Sequence, residues 1–303
     1  MDQMAMVQPQ DPRPPVALAL SRPKRYHALM RETLSILDAR GHRLPVRAYG
    51  RVASLVPSLT ETVVQLGKGA SLVARTVYCT EPRDQLTHVP TFGGTKNPDL
   101  TALQGVRPDL VLSCLEENKP QHLHHLELAG IPVFAVMPRR LDDVSALLRD
   151  VGKLLGAEMQ AGRALADLTA ARLACGDLRA RLPHPTTPPR VAVLIWKNPW
   201  MAAGGGTYIN AVCGEMGLEN ALAGRLDYFT VSLDELADLN LDLVLLPDEP
   251  YKFTHHDAWS LAAASVVGDR RRAVLLDGRL LSWYGTRTAP SLRALARLLK
   301  GRL

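Results

Sequence analysis

The chain has 303 residues, of which 47% are hydrophobic and 22% charged, with a formal net charge of +6. That is an ordinary globular composition with room for two cores. The positive charge leaves no nucleic-acid footprint: the arginines are spread, the densest run (Arg270-Arg271-Arg272) falls in a predicted turn, and no basic helix is interleaved with aromatics, so no nucleic-acid partner is expected. Cys79, Cys114, Cys175 and Cys213 form no Cys-x-x-Cys pair, which excludes a zinc ribbon or a disulfide framework.

Residues 1–15 are polar and Pro-rich, and the apolar run Val16 to Leu20 is too short for a secretory leader. No stretch is long enough to cross a membrane. The expectation is a cytoplasmic protein, or an extracytoplasmic one if translation starts elsewhere. Arg25 to Arg40 reads as a short amphipathic helix, and residues 1–50 as an N-terminal extension, partly helical or disordered.

The first lobe is read over 51–156. Val52 to Val56 is a short apolar run typical of a buried parallel strand. Ser58 with Glu61 has the capping-box spacing for the next helix, which ends near Gly67. Strand Ser71 to Thr76 follows, then an irregular segment from Val77 to Pro98. Helix Asp99 to Gly105, strand Asp109 to Ser113, helix Pro120 to Ala129 and strand Pro132 to Val136 come next. From Leu141 to Leu155 apolar residues recur at three- and four-residue steps, one buried helical face.

Gly156 interrupts, and a thinner stripe of Ala161, Ala164, Leu165, Leu168, Ala171, Cys175, Leu178 and Leu182 continues. A helix from Ala157 to Leu182 would be about 39 Å long, the width of a lobe. Pro183, Pro185, Pro188 and Pro189 stop it. Residues 157–189 are therefore read as one long linking helix and a Pro-rich connection.

The second lobe, 190–303, opens with VAVLI after Arg190, echoing VASLV after Arg51. A loop (Trp196 to Gly206), helices Thr207 to Gly217 and Ser232 to Leu239, strand Asp242 to Leu246, helix His256 to Ala264, strand Ala273 to Leu276 and helix Ser291 to Lys300 follow. LTALQGVRPDLVL from Leu100 matches LDELADLNLDLVL from Leu233, so the lobes read as two copies of one α/β unit. Strands alternating with helices predict parallel sheets, with ligands bound at the carboxyl strand ends. The fold class is α/β: two Rossmann-like lobes joined by one long helix, with a cleft between.

Tyr78, Phe92, Trp196, Trp200, Tyr208, Tyr251, Phe253, Trp283 and Tyr284 all follow predicted strands. They either wall a pocket for a large planar ligand or pack the loops against each other. Glu116-Glu117-Asn118 and Asp248-Glu249 follow the two DLVL strands. Such carboxylates either contact a ligand or metal, or cap helices and bond loop backbone. Gly93-Gly94 and Gly204-Gly205-Gly206-Thr207 lack the P-loop and dinucleotide signatures, which leaves a tight loop with close backbone approach. Cys79 and His255, among Cys114, His88 and His256, are the candidate axial ligands for iron or cobalt; a buried thiol packing as a small hydrophobe is the alternative for Cys79.

From Arg51 onward the chain resembles the class III solute-binding proteins, the helical-backbone metal receptors for cobalamin, ferric siderophores and haem. The resembling pieces are RVASLVPSLTETVVQLG, YCTEP, FGGTKNPDL, RPDLVLSCLEEN, AGIPVF, WKNPWMAAGGGTY, DLVLLPDEPY and DGRLLSWYGTRTAP. The resemblance implies a ligand between the lobes, with Phe92 and Trp283 flanking the chelate and Tyr78, Glu116, Trp200 and Tyr251 similarly placed. It implies non-enzymatic binding of a metal chelate, cobalamin or another corrinoid first, then haem or a ferric siderophore, with no catalytic cofactor. It also implies either an ABC-transporter permease as partner or an intracellular carrier derived from such a receptor, the acidic docking positions of transport members falling here at Thr101 and near Gly285–Thr286. The alternative function is a chelatase-like enzyme in which the acidic pairs and His255 or His256 handle a metal.

Overall fold

The computed structural model describes residues 34–179, 188–300 and 302. Residues 25–33 of the helix expected over Arg25 to Arg40 lie outside them, and the rest of that stretch is a short strand and a turn. β1 (Ser35–Leu37) and β2 (Arg43–Pro45) pair antiparallel, with Ile36 opposite Leu44. Both are buried between exposed neighbours, a period of two that overrides the helical pattern. The Asp38 carboxylate closes the turn by accepting from the backbone N–H of Arg40 (2.8 Å) and His42 (2.9 Å). Ala39 N–H donates to the Ala135 carbonyl at 2.8 Å, so the hairpin is bonded to the first lobe. The folded unit accordingly runs from Ser35 to Leu303, with no boundary at Arg51.

The first lobe alternates β3 (Val52–Ser54), α1 (Pro57–Val63), β4 (Leu72–Arg75), α2 (Leu100–Gly105), β5 (Leu110–Cys114), α3 (Pro120–Leu128), β6 (Val133–Val136) and α4 (Leu141–Leu155). Its four strands are all parallel in the order β4-β3-β5-β6. The expected capping box at Ser58 is absent. Val56 takes the cap position and Pro57 opens α1, where its missing N–H costs nothing. Ser58 and Glu61 are buried instead.

Gly156 ends α4 in the left-handed region (φ 58°), and α5 (Glu158–Arg179) follows, 22 residues and about 33 Å long. Ala161, Leu168, Ala171 and Cys175 are its buried stripe. The stripe is made of small residues because the helices cross closely: a Cβ on Gly152 would sit 2.6 Å from the Ala161 Cβ. The side chain of Leu178, and Leu182, Pro183 and Pro185, lie outside the description.

The second lobe comprises β7 (Arg190–Trp196), β8 (Met201–Ala203), α6 (Tyr208–Glu215), β9 (Glu219–Asn220), β10 (Tyr228–Thr230), α7 (Leu233–Ala237), β11 (Leu243–Pro247), α8 (His255–Ala263), β12 (Ala273–Leu276), α9 (Arg279–Ser282) and α10 (Thr288–Leu299). β9, β7, β11 and β12 are parallel, but β8 and β10 extend the sheet antiparallel, so this sheet is mixed rather than parallel as expected. Gly204 and Gly205 permit the return: a Cβ there would lie 2.0 Å from the Arg225 carbonyl oxygen and 2.2 Å from that of Ala223. The tight-loop reading of this glycine run is the observed one.

α5 packs along α4 on one side and α10 on the other. Arg172, on α5, pairs with Asp142 of the first lobe (2.7 Å) and Glu215 of the second (3.3 Å). One continuous apolar cluster runs from Ile36 through α4 and α5 to Leu299, and each lobe adds a second cluster on its outer side.

Candidate functional site

The carboxyl ends of the two sheets face each other across four polar ties. Arg139, after β6, donates to the Gly206 carbonyl (2.6 Å) and to Asp227 (2.7 Å). Arg287 forms a two-point pair with Glu61 at 2.6 and 2.5 Å. Thr286 N–H donates to the Thr62 hydroxyl at 3.3 Å, and Arg279 lies 3.3 Å from Glu81. These groups sit on α1, at the start of α9, or in the segments between strands and helices, on the side where α/β sheets receive ligands.

On the second lobe the aromatics form one cluster. Trp196 meets Tyr251 edge-on with centroids 5.8 Å apart, Tyr251 meets Phe253 at 4.8 Å, and Phe253 stacks on Trp200 at 6.0 Å. Phe253 is buried and anchors the group, whereas Trp196 remains 42% exposed and Tyr251 and Trp200 half-buried. The loop carrying the tryptophans is fixed by Lys197, which pairs with buried Asp257 (2.6 Å) and lies 5.0 Å from the Trp200 ring. On the first lobe Tyr78 is 61% exposed, and its ring lies against Gly94, where a Cβ would come within 3.1 Å. Phe92 is half-buried beside it in the chain segment that bonds back to Arg75. The inner rings pack the loops against each other, and Trp196 and Tyr78 remain exposed.

The acidic pairs do not converge. Glu116 is half-buried at the lobe boundary; burial pushes its carboxyl up, Arg139 pulls it back, and Glu117 and Asp227 push it further. Lys96 donates to the Glu116 carbonyl oxygen. Tyr228 of β10 lies close to this group, its hydroxyl pushed up by burial and then by the Glu116 carboxylate. Asp248, in contrast, accepts from Gly278 N–H (2.8 Å), and Glu249 accepts from Ser282 (3.2 Å). Burial also pushes the Glu249 carboxyl up, while bonds from Ser282 and Trp283 hold it down. In the second lobe the acids thus bond their own loops.

Several expected ligand contacts are structural. Tyr208 is buried, its hydroxyl bonded to Thr288 (2.9 Å) and its ring edge-on to Tyr284. Tyr284 is buried beside the Cys114 thiol, and its hydroxyl makes no hydrogen bond of good geometry. Asn118 accepts from Cys114 N–H (2.9 Å) and donates to the carbonyls of Thr95 (2.9 Å) and Leu55 (3.4 Å), which uses the whole amide to hold the loop. Gly93 turns the chain at φ 71°. Trp283 is buried between the lobe ties, with Arg287 and Arg279 at 5.2 and 5.9 Å from its ring.

Neither candidate axial ligand holds a position over the cleft. Cys79 is fully buried with its thiol 3.1 Å from the Thr76 hydroxyl, and burial pushes the thiol up, so it stays a neutral packing group. His255 opens α8 and lines a groove on the outer edge of β12. Among the described residues no three His, Cys, Asp or Glu side chains cluster as a metal site. Reading the sequence missed Arg139, Tyr228, Arg279 and Arg287. An arginine just after a strand is a weak signal, and β10 is too short to announce itself. Of the two permease-docking positions, Thr101 is exposed on α2, whereas Gly285 is buried against Thr62 of α1.

A two-lobed α/β protein with a sheet in each lobe and a 22-residue helix packed against both defines the class. Its family follows from comparison: the description "periplasmic binding protein" matches residues 52–264, and the chain belongs to that family. A vitamin B12-binding protein of Yersinia pestis (strain Pestoides F) is 30% identical over 196 residues, 64% of this chain and 68% of the relative. The periplasmic heme-binding protein RhuT from Roseiflexus sp. RS-1, in apo form, superposes with a TM-score of 0.73 at 24% identity, covering 84% of this chain and 99% of that one. The periplasmic heme-binding protein BhuT in complex with two hemes gives 0.72 at 27% identity, covering 83% and 98%.

Proposed function

We propose that this chain binds a large planar metal chelate in the cleft, without catalysing a reaction on it. The observation that carries the reading is the aromatic set at the strand ends: exposed Trp196 against half-buried Tyr251 on one lobe, exposed Tyr78 on the other. Flat exposed rings held by buried ones offer apolar area at little entropic cost. A corrinoid ranks first because the vitamin B12-binding relative is the more similar in sequence, and haem second because of the haem-binding structures. The phenol of Tyr78 is the exposed group suited to a ferric centre. A chelatase would use both acidic pairs on one substrate, and here they serve different clusters.

Absorption titration with hydroxocobalamin and then haemin tests this. A corrin or Soret band that shifts and saturates at one equivalent supports the reading; a flat response to both overturns it. Trp196→Ala and Tyr251→Ala are expected to weaken binding by roughly tenfold or more each, as for buried aromatic anchors. Two settings are open to such a binder: an extracytoplasmic one with an ABC permease as recipient, or a cytoplasmic one as a carrier; cell fractionation and co-purification with membrane-embedded permease distinguish them.

A further inference from the structure

The groove that holds His255 lies away from the cleft and is absorbed by nothing above. It has a volume of about 520 Å³ and is lined by α8 (Ala258, Trp259), by Arg270 and Arg271, by Arg302, and by Ala273, Val274 and Leu275. The last three are successive residues of β12, whose side chains alternate between faces. What three successive strand residues present together to one groove is the backbone edge. β12 ends the sheet, pairing only with β11 among the described strands; Leu276 turns its carbonyl to Asp248 N–H, so the alternate residues Ala273 and Leu275 face outward, Leu275 being the partly exposed one.

The rim of this edge is apolar on one side and positive on the other. Trp259 is 59% exposed, an uncommon placement for the largest aromatic, and Arg270 lies 5.7 Å from its ring. Arg302 reaches in by donating to the Arg271 carbonyl at 3.2 Å. Among the described residues no carboxylate pairs with Arg270 or Arg302, and the Asp269 carboxylate stands 3.8 Å from Arg271. Among the described residues, Asp269 is thus the carboxylate that offsets this positive rim.

We infer that the β12 edge is a docking site for an extended acidic segment of a partner protein, added as a further strand beside β12. Backbone pairing would supply affinity, and the arginines and Trp259 would select carboxylates alternating with apolar side chains. A second copy of this chain is a poor occupant, because edge-to-edge pairing would set two arginine rims against each other.

The test uses the full chain and a fluorescein-labelled peptide of about six residues, alternating Glu and Val, the length of an average strand. Fluorescence anisotropy at low salt is expected to show saturable binding. An Arg270→Glu/Arg271→Glu double variant should weaken it by roughly tenfold through loss and reversal of exposed charge pairs. Trp259→Ala should weaken it too, and a peptide N-methylated on alternate amides should bind at least about tenfold more weakly, because its ladder donors are gone. Both arginines and Trp259 are exposed, and an unchanged thermal midpoint of each variant confirms an intact fold. Equal binding of the N-methylated peptide would overturn strand addition, leaving a charge contact only. No saturable binding, equal binding of a Lys/Val peptide, or tighter binding of a single-stranded oligonucleotide would overturn the proposal outright.

Discussion

At the entry to its central strand each lobe makes the same bonds. In the first, the Asp109 carboxylate accepts from Arg51 N–H (2.9 Å), Asp109 N–H donates to the Arg51 carbonyl (2.8 Å), and Arg107 just before it takes φ 48°. In the second, Asp242 accepts from Arg190 N–H (2.8 Å), donates to the Arg190 carbonyl (2.8 Å), and follows Asn240 at φ 52°. The same strands diverge at their carboxyl ends. Asn118 holds the first loop by three hydrogen bonds, whereas Tyr251, at the matching place in the repeat, joins an aromatic cluster. The repeat is kept where the chain must start a parallel strand and abandoned where the cleft needs two unlike walls.

The strongest way to break this comparison is to cut what lies between the lobes. Arg287→Ala strands the Glu61 carboxylate, whose side chain is 8% exposed, without its two-point partner. The expected cost is about 3 kcal/mol, at the low end for a buried pair because Arg287 is itself partly exposed. Urea denaturation measures it. A loss below about 1 kcal/mol, the value of a surface pair, would mean that the apolar cluster along α4, α5 and α10 joins the lobes unaided.

Next in size is the contrast of loops. Asn118→Ala leaves buried backbone groups of Cys114, Thr95 and Leu55 unpaired, and should cost about 2 kcal/mol. Tyr251→Ala should cost less in stability and more in chelate affinity. Reversed outcomes would make Tyr251 the scaffold and the Asn118 loop the contact surface.

The strand-entry bonds should respond alike. Asp109→Ala and Asp242→Ala each remove carboxylate bonds to backbone N–H at a partly exposed site, for about 1 kcal/mol apiece. The double variant should be additive within about 0.5 kcal/mol, since the sites share no partner. Unequal effects would show that the duplicated geometry is not equally used.

Most of the frame was legible because it obeys one period at a time. β12, α4 and the DLVL strands lie where alternation, runs and turn signals put them, within a residue or two. The helix expected at Arg25 to Arg40 failed at Ser35–Leu37 because antiparallel pairing with Arg43–Pro45, a contact that helical periodicity does not register, decides that segment. β8 and β10 were illegible for the same reason, being three residues each and fixed by partners. Position after a strand picked out Trp196, Trp200 and Tyr251, which share one aromatic cluster with Phe253. It could not tell them from Tyr208, Tyr284 and Asn118, because inward or outward aim is set by tertiary contacts. Cross-lobe partners such as Arg139 with Asp227, 88 residues apart, leave no local pattern.

The smallest expected effect is also the sharpest probe of the asymmetric walls. Burial raises the Glu116 carboxyl against the pull of Arg139, so the folded chain holds that proton more tightly than the unfolded chain. The sign follows: stability from this group is greatest at low pH and falls as pH rises past the unfolded value and through the folded one. Glu116→Gln removes the ionisation, and should raise the denaturation midpoint at pH 7 while matching the parent at about pH 3, below the ordinary carboxyl value of about 4.3, where Glu116 holds its proton in both states. Glu249 in the second lobe has the same direction from burial, but bonds from Ser282 and Trp283 already favour its charged form, and Glu249→Gln would forfeit them. Glu116→Gln is therefore expected to stabilise at neutral pH where Glu249→Gln does not. A gain from both would place the two acids in equivalent settings, and would erase the difference between the walls at the point where a ligand would feel it.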